Sequence, residues 1–476
     1  MLCMADPVTN SPTARRGSAA AGAGGGLTGG IFIGLCLVVV LAPLPLGSGR
    51  PLAWDALALG VALLLLLTLG LPTAEAAVSR ERLAPAVILF AAVIGVALLQ
   101  SVAWLPAALR NPIWDQAADA LASPLRGSVS VDRFVSLIYV LRLLSYAGIF
   151  YLAVIAGRDP QRARIGVSIV ALSGFLYAIY GLFDYWSGSR TVLWYSKTAY
   201  LEDVTGPFIN HNSFATYLGL STLAALVLAM NSLSRIELHD DLYRRVSGAV
   251  NFLTKRIPLL LVVFVLLTAL LLTHSRGGLS AAVFGNVVLI IAIAVAPGAG
   301  RLRRVTKWSI IPCMLLIVGA IVISGGATMN RFLGGDIESN TRLVVDQLTL
   351  QAISDYPLVG IGLGSFASVF PVYQLAPLGA YFDLAHNDYL QNALELGIPA
   401  AAALLAALGW LVWSCVNGIR NRQRDVIYPC LGLAVTALVA LHATVDFSLQ
   451  IPAVTVTYLF LLGIAVAQSV SSRNRV

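Results

Sequence analysis

The chain has 476 residues, 58% of them hydrophobic and only 11% charged, with a mean hydropathy of +0.83. A soluble domain carries roughly 25% charged residues, so this composition excludes a soluble enzyme, a disordered chain, a collagen-like repeat and a disulfide scaffold. A net charge of +8 and a pI near 9.4 would point to nucleic acid in a soluble protein, but here the basic residues must be located before they are interpreted.

The first 30 residues, rich in Gly, Ala and Ser, predict a disordered tail. A membrane-spanning helix needs ~20 apolar residues, and shorter runs serve when the bilayer adapts. Twelve runs qualify: 31–46, 52–71, 84–105, 133–156, 165–186, 212–230, 257–272, 279–296, 308–323, 398–416, 426–441 and 454–470. The first follows Arg15 and Arg16 but lacks a small-residue cleavage site with a polar mature domain behind it, so it reads as an uncleaved span. The expected fold is all-α, a polytopic transmembrane helix bundle of about 12 spans with a long, partly helical outer loop. Its expected parts are the tail 1–30, nine spans over 31–323, the loop 324–397, three spans over 398–470 and a C-terminal tail 471–476.

Numbering the spans alternately divides the connections into two sets. Of the 31 Lys and Arg, Arg133 and Arg142 fall inside a span; Arg50, Arg110, Arg126, Arg190, Lys197, Arg276, Arg331 and Arg342 fall in one set, and the remaining 21 in the other. The positive-inside rule then puts both termini in the cytoplasm. Orientation accounts for the basic excess, and no nucleic-acid partner is expected. The five cysteines form neither a disulfide framework nor a C-x-x-C metal site: Cys36, Cys313, Cys415 and Cys430 sit in or beside apolar runs and Cys3 in the tail.

Three outward connections are substantial, 106–132, 187–211 and 324–397. The last is far longer than an ordinary loop and is expected to be functional and to hold its own structure. Within it 340–355 has helical spacing with Thr341 as cap and Pro357 as stop, a turn-rich passage carries Gly360, Gly362 and Gly364, and 386–396 reads as a second short helix.

Three outward clusters could carry chemistry. Thr273-His274-Ser275-Arg276-Gly277-Gly278 breaks two apolar runs; a tight helical hairpin explains the glycines, whereas an arginine at the membrane boundary snorkels to headgroups or holds an anion. Asn340-Thr341-Arg342 opens a helix, where the dipole favours acids rather than Arg342; an exposed pair with Asp346 would be worth only ~0.3 to 0.5 kcal/mol. His386-Asn387-Asp388-Tyr389-Leu390, followed by Glu395-Leu396-Gly397, puts a histidine at the outer mouth of the bundle. It could orient or deprotonate a hydroxyl, with Asp383 or Asp388 as replacements, although a lone histidine is more often structural. Gly360-Ile361-Gly362-Leu363-Gly364 reads as a turn or as a backbone loop that contacts an anion, and not as a dinucleotide fingerprint.

Taken together, these segments resemble the O-antigen ligase and O-antigen polymerase superfamily of bacterial inner-membrane glycosyltransferases. The resemblance lies in Ser275-Arg276-Gly277-Gly278, Asn340-Thr341-Arg342-Leu343, 357–366 and His386-Asn387-Asp388-Tyr389-Leu390 with Glu395-Leu396-Gly397, together with Gly206-Pro207-Phe208-Ile209-Asn210-His211-Asn212 before the sixth span. It implies a periplasmic site that transfers a glycan from an undecaprenyl diphosphate-linked donor to an acceptor hydroxyl of lipid A-core or of a second lipid-linked glycan, without metal or cofactor. Arg276 and Arg342 would hold the diphosphate and His386 would bind or activate the acceptor. His211, Asn387 and Gly362 would complete the binding site. Arginines suit a leaving diphosphate because they are bidentate and permanently charged.

The rival readings are a twelve-span secondary transporter and a membrane scaffold. Transporters tend to place ionisable groups near the midplane and to show repeats. Here the spans carry few charges, chiefly Asp55, Arg133, Arg142 and Asp184, and no repeat is evident. A scaffold leaves the long polar loop and its arginines unexplained.

Overall fold

The computed structural model describes residues 12–71, 80–104, 106–234, 256–306, 337–374 and 381–470. The expected ninth span, 308–323, the start of the long outer loop and the C-terminal tail lie outside these residues. The described chain is all-helical apart from a two-stranded antiparallel hairpin, Thr191–Val192 with Tyr195–Ser196.

In chain order the helices are α1 (Pro12–Leu41), α2 (Pro51–Thr68), α3 (Arg80–Gln100), α4 (Ile113–Ala120), α5 (Arg133–Ala156), α6 (Pro160–Trp186), α7 (His211–Leu233), α8 (Ile257–Leu272), α9 (Arg276–Val295), α10 (Ile337–Asp355), α11 (Phe366–Tyr373), α12 (Asp388–Leu396), α13 (Ile398–Asn421), α14 (Ile427–His442) and α15 (Pro452–Ala467). Helix α1 opens at Pro12, so the segment expected to be a disordered tail is helical for most of its length. Extending a helix costs far less than starting one, and the apolar run from Ile31 supplies the start.

Seven of the helices, α2, α3, α5, α6, α7, α9 and α13, are long and apolar enough to cross a membrane. The apolar helices over 26–41, 257–272, 427–442 and 452–467 are shorter. At 1.5 Å per residue a 16-residue helix covers ~24 Å, less than the ~30 Å of a typical hydrocarbon core. The chain is a multi-pass membrane protein, and among the described residues seven helices are long and apolar enough to cross.

Caps start several helices. Asp132 Oδ1 accepts from Phe134 and Val135 N–H, both at 3.0 Å, Asp159 caps α6 ahead of Pro160, and Asn210 Oδ1 accepts from Asn212 N–H at 2.7 Å. Helices α7 and α15 are buried almost all round and form the centre, as an apolar helix without a polar face must. Around them α6 and α8 flank α7, α5 and α14 flank α15, and α9 packs along α14. Small residues set these approaches: a Cβ on Gly219 would stand 2.9 Å from Leu438 and one on Gly285 2.9 Å from Leu438 Cβ.

Helices α10, α11 and α12 close on a core of their own, built from Val345, Ile353, Ile361, Phe366, Phe370 and Leu394. A second cluster, Val93, Ala97, Val140, Leu363, Leu396 and Ala400, fastens this cap to the ends of α3, α5 and α13. The long loop therefore holds its own structure, as expected. Helix α10 starts at Ile337 and not at Asn340, which places Thr341 inside the helix rather than at its cap and Arg342 in the second turn.

Candidate active site

The site forms where three chain connections meet at the capped end of the bundle. The first is the turn Thr273-His274-Ser275 between α8 and α9. Ser275 is the N-cap of α9, with its Oγ accepting from Gly278 N–H at 3.0 Å, so Arg276 is the first helical residue. Arg276 therefore stands at the positive end of α9, which favours an anion. Gly277 has to be small here: a Cβ would lie 3.0 Å from Val445 Cγ2 and 3.5 Å from His442 Nε2.

The second is the helical cap. From α10, Arg342 Nη1 donates to Val445 O at 3.3 Å. His386 precedes α12 in a left-handed conformation, φ +56°, and its ring meets the edges of Phe447 and Phe382 with centroids 4.6 and 6.1 Å away. Its Nδ1 stands 3.6 Å from Asp446 Oδ1, an ion-pair separation rather than a hydrogen bond. The third is the connection 443–451 between α14 and α15, which supplies Val445 and Asp446 at the end of α14. The structure thus brings Arg342, His386 and the start of α9 onto a single short stretch of chain, His442 to Phe447.

The electrostatics of that stretch are distinctive. Asp446 is 1% exposed. Burial works to raise its carboxyl, but the imidazoles of His386 and His442 and the guanidinium of Arg342 outweigh burial and hold it below the ordinary carboxylate range. Asp388, also buried, is pushed well above that range, chiefly by burial and against the Leu449 N–H that its Oδ2 accepts at 3.1 Å. On α10, burial raises Asp346 while His386 and Arg342 oppose it. His442 Nδ1 meets Ser448 Oγ at 2.9 Å and Thr216 Oγ1 at 3.1 Å. Among the described residues, His442 Nε2, Asp446 Oδ2 and Asp388 Oδ1 are buried without a partner. Such atoms are rare in a folded interior and mark places where a polar group can be received.

His442 and Asp446 are absent from the reading of the sequence. Their signal is a histidine and an aspartate four positions apart in a short connection between two apolar runs, and only the fold shows them beside His386.

Other expected site residues have different duties. Asn387 caps α12, its Oδ1 accepting from Tyr389 N–H at 3.1 Å and Leu390 N–H at 3.2 Å. The passage around Gly362, expected in the binding site, has its amides committed within the fold. The N–H groups of Gly360, Ile361 and Gly362 donate to Tyr356 O, Leu394 O and Glu395 O, and those of Leu363 and Gly364 donate to Gln100 Oε1 and Glu395 Oε2. No amide of this passage is left for a phosphate. Gly362 is required by packing: at φ +105° its Cβ would fall 2.2 Å from Ser130 Oγ and 2.7 Å from Ser130 Cα. His211 starts α7, its Nδ1 lying 2.7 Å from Thr273 O and 3.0 Å from Asp203 Oδ2, so it contacts the turn that carries Arg276.

Two intramembrane or buried charges also prove to be scaffold. Arg142, within α5, lies over the rings of Trp54 and Tyr139 and donates to Gln450 O at 2.5 Å. Asp184 pairs with Lys197 at 3.2 Å and fastens the hairpin connection to α6. Among the described residues no group of three or more His, Cys, Asp or Glu side chains is placed to hold a metal ion.

Residues 261–405 match the family model described as O-antigen ligase. This segment supports the resemblance to the O-antigen ligase and polymerase superfamily. No curated protein matches it. The matched segment takes in Arg276, Arg342, Gly362, His386 and Asn387, and leaves His211, His442 and Asp446 outside. The match suggests an O-antigen ligase-type membrane glycosyltransferase.

Proposed function

We propose that the protein transfers a glycan from an undecaprenyl diphosphate-linked donor to an acceptor hydroxyl at the periplasmic face of a bacterial inner membrane. The supporting observation is the meeting of Arg342, His386 and the Arg276 turn at residues 442–447. In this reading the twelve spans run with both termini in the cytoplasm, and the capped end of the bundle faces outward. Arg276, helped by the positive end of α9, and Arg342 hold the donor diphosphate. The acceptor oxygen attacks the anomeric carbon, the bond from that carbon to the diphosphate oxygen breaks, and the lipid diphosphate leaves with the electron pair. Arginines preorganised around that oxygen stabilise the charge as it develops. His386, steadied by Asp446, orients the acceptor hydroxyl and receives its proton. The diphosphate is a good leaving group, so neutralising its charge is the larger task and no metal is invoked. The transporter reading receives no support from the family match.

Deleting the gene and comparing surface glycans tests this. Accumulation of lipid-linked donor is expected, and the missing product names the acceptor: loss of polysaccharide attachment to lipid A-core marks a ligase, single-repeat products a polymerase, and unglycosylated protein an oligosaccharyltransferase. Unchanged glycans and unchanged donor lipid would overturn the proposal.

A further inference from the structure

Arg276 is the first residue of α9, so its placement is set by the three-residue turn before it. That turn is strained. His274 sits at φ +52°, a left-handed conformation that disfavours a side chain and persists only where its surroundings over-determine it. The surroundings come from the outer connection 187–210 and the start of α7. Val204 N–H donates to Leu272 O at 3.0 Å. His211 Nδ1 meets Thr273 O at 2.7 Å and Asp203 Oδ2 at 3.0 Å, and His274 Nδ1 meets Asp203 Oδ1 at 2.7 Å. Ser275 Oγ donates to Asn212 Oδ1 at 2.6 Å.

The donor and acceptor assignment follows from chemistry. A backbone carbonyl and an ionised carboxylate only accept, so His274 Nδ1–H donates to Asp203 Oδ1 and His211 Nδ1–H donates to Thr273 O, with Asp203 Oδ2 beside that N–H at 3.0 Å as a charge contact. Burial works to raise the Asp203 carboxyl, yet the two histidines outweigh burial and keep it below the ordinary range.

We propose that Asp203 is a positioning residue which, through His211 and His274, fixes the turn that aims Arg276 at the donor diphosphate. This rests on the reading of Arg276 as a diphosphate ligand. It links the connection 187–210 to the donor site although no residue of that connection need touch the donor.

The test uses the full-length protein in nanodiscs and undecaprenyl diphosphate itself as probe, so that neither sugar nor acceptor has to be known. Asp203→Asn leaves an amide that can accept from only one of the two rings, and binding is expected to weaken about tenfold, in the range of coupling between contacting groups. Amide hydrogen exchange at residues 273–278 should rise in the same variant. The diagnostic result is non-additivity: Asp203→Asn should add nothing once Arg276→Ala is present, but should multiply with Arg342→Ala. Should Asp203→Asn fail to fold, His274→Ala, which removes one arm at a partly exposed ring, carries the same comparison. Wild-type affinity in Asp203→Asn, or full additivity with Arg276→Ala, would overturn the positioning role while leaving the donor site intact. Unchanged binding in Arg276→Ala would overturn the donor-site reading and, with it, this role.

Discussion

Replacing Glu395 by Gln probes how the helical cap is fastened to the bundle. Glu395 ends α12 at 1% exposure, and its carboxylate accepts from Gly364 N–H at 2.7 Å, Phe366 N–H at 3.3 Å and the Gln391 amide at 3.1 Å. Burial pushes its carboxyl up from 4.5 to about 7, with those donors opposing. Across that interval the folded protein keeps a proton that the unfolded chain has lost. The stability contribution is therefore complete below about pH 4.5, falls as pH rises through about 7 and is flat above. At ~1.4 kcal/mol per pH unit the loss integrates to about 3 kcal/mol. Glutamine is neutral throughout and has no such slope, but its single amide oxygen cannot serve three donors, which costs ~1 to 3 kcal/mol at low pH. Relative to wild type, Glu395→Gln should be destabilised at pH 4.5 and recover by about 3 kcal/mol at pH 8. The buried Asp388 gives a slope of the same sign in both proteins, and because burial is its first cause and Glu395 only its last, most of that slope drops out of the difference. Thermal unfolding of both proteins in detergent across this range is the assay. Parallel stability curves would refute the burial argument.

Arg342→Ala removes a charge-assisted contact worth ~1.5 to 3 kcal/mol and should lower transfer at least tenfold in folded protein; Arg342→Lys should restore it only in part, since lysine lacks the bidentate fork. Asp446→Asn and His386→Ala should each slow transfer by ~10²- to 10⁴-fold if His386 takes the acceptor proton, and the double variant should be no slower than His386→Ala alone; multiplicative losses would separate the two residues. Gly362→Ala should cost ~2 to 5 kcal/mol of stability through the positive φ and the clash with Ser130, read as a lower unfolding temperature, and any surviving folded protein should keep its donor affinity. For sidedness, cysteines placed at the exposed Thr444 and Gln423 should label from outside and from inside respectively; labelling of Gln423→Cys from outside would invert the topology.

The spans were legible because lipid leaves the sequence little freedom. Helices α5 and α8 begin and end where the apolar runs do, at 133–156 and 257–272. The ends were misplaced where polar residues continue the helix: α6 starts at Pro160 behind the Asp159 cap, and α9 at Arg276 behind Ser275. Arg276 and Arg342 stand out in the sequence because the expected topology puts them in connections that are poor in Lys and Arg. Asp446 and His442 do not, because a nine-residue polar connection looks like any hairpin, and burial beside His386 is a property of the fold. The Gly-x-Gly-x-Gly passage is ambiguous in sequence for a different reason. A phosphate cradle and a backbone crowded against Ser130 and Glu395 demand the same residue, so composition cannot separate them.

Sidedness also explains which outward basic residues deserve a functional account. An extracytoplasmic connection is poor in Lys and Arg by rule, so each exception requires its own cause. Lys197 has one in Asp184, at 3.2 Å, and Arg50 in the ring of Tyr195, 5.6 Å away; Arg133, inside a span rather than in a connection, has one in the ring of Trp114, 5.2 Å away. Arg342 instead reaches across from α10 to a backbone carbonyl next to Asp446, and Arg276 opens α9 against the same stretch, where buried polar atoms of His442 and Asp446 lack partners among the described residues. Local packing therefore accounts for the first three cations. Arg342 and the start of α9 meet at that stretch, which under the proposed function would receive the donor diphosphate and the acceptor hydroxyl.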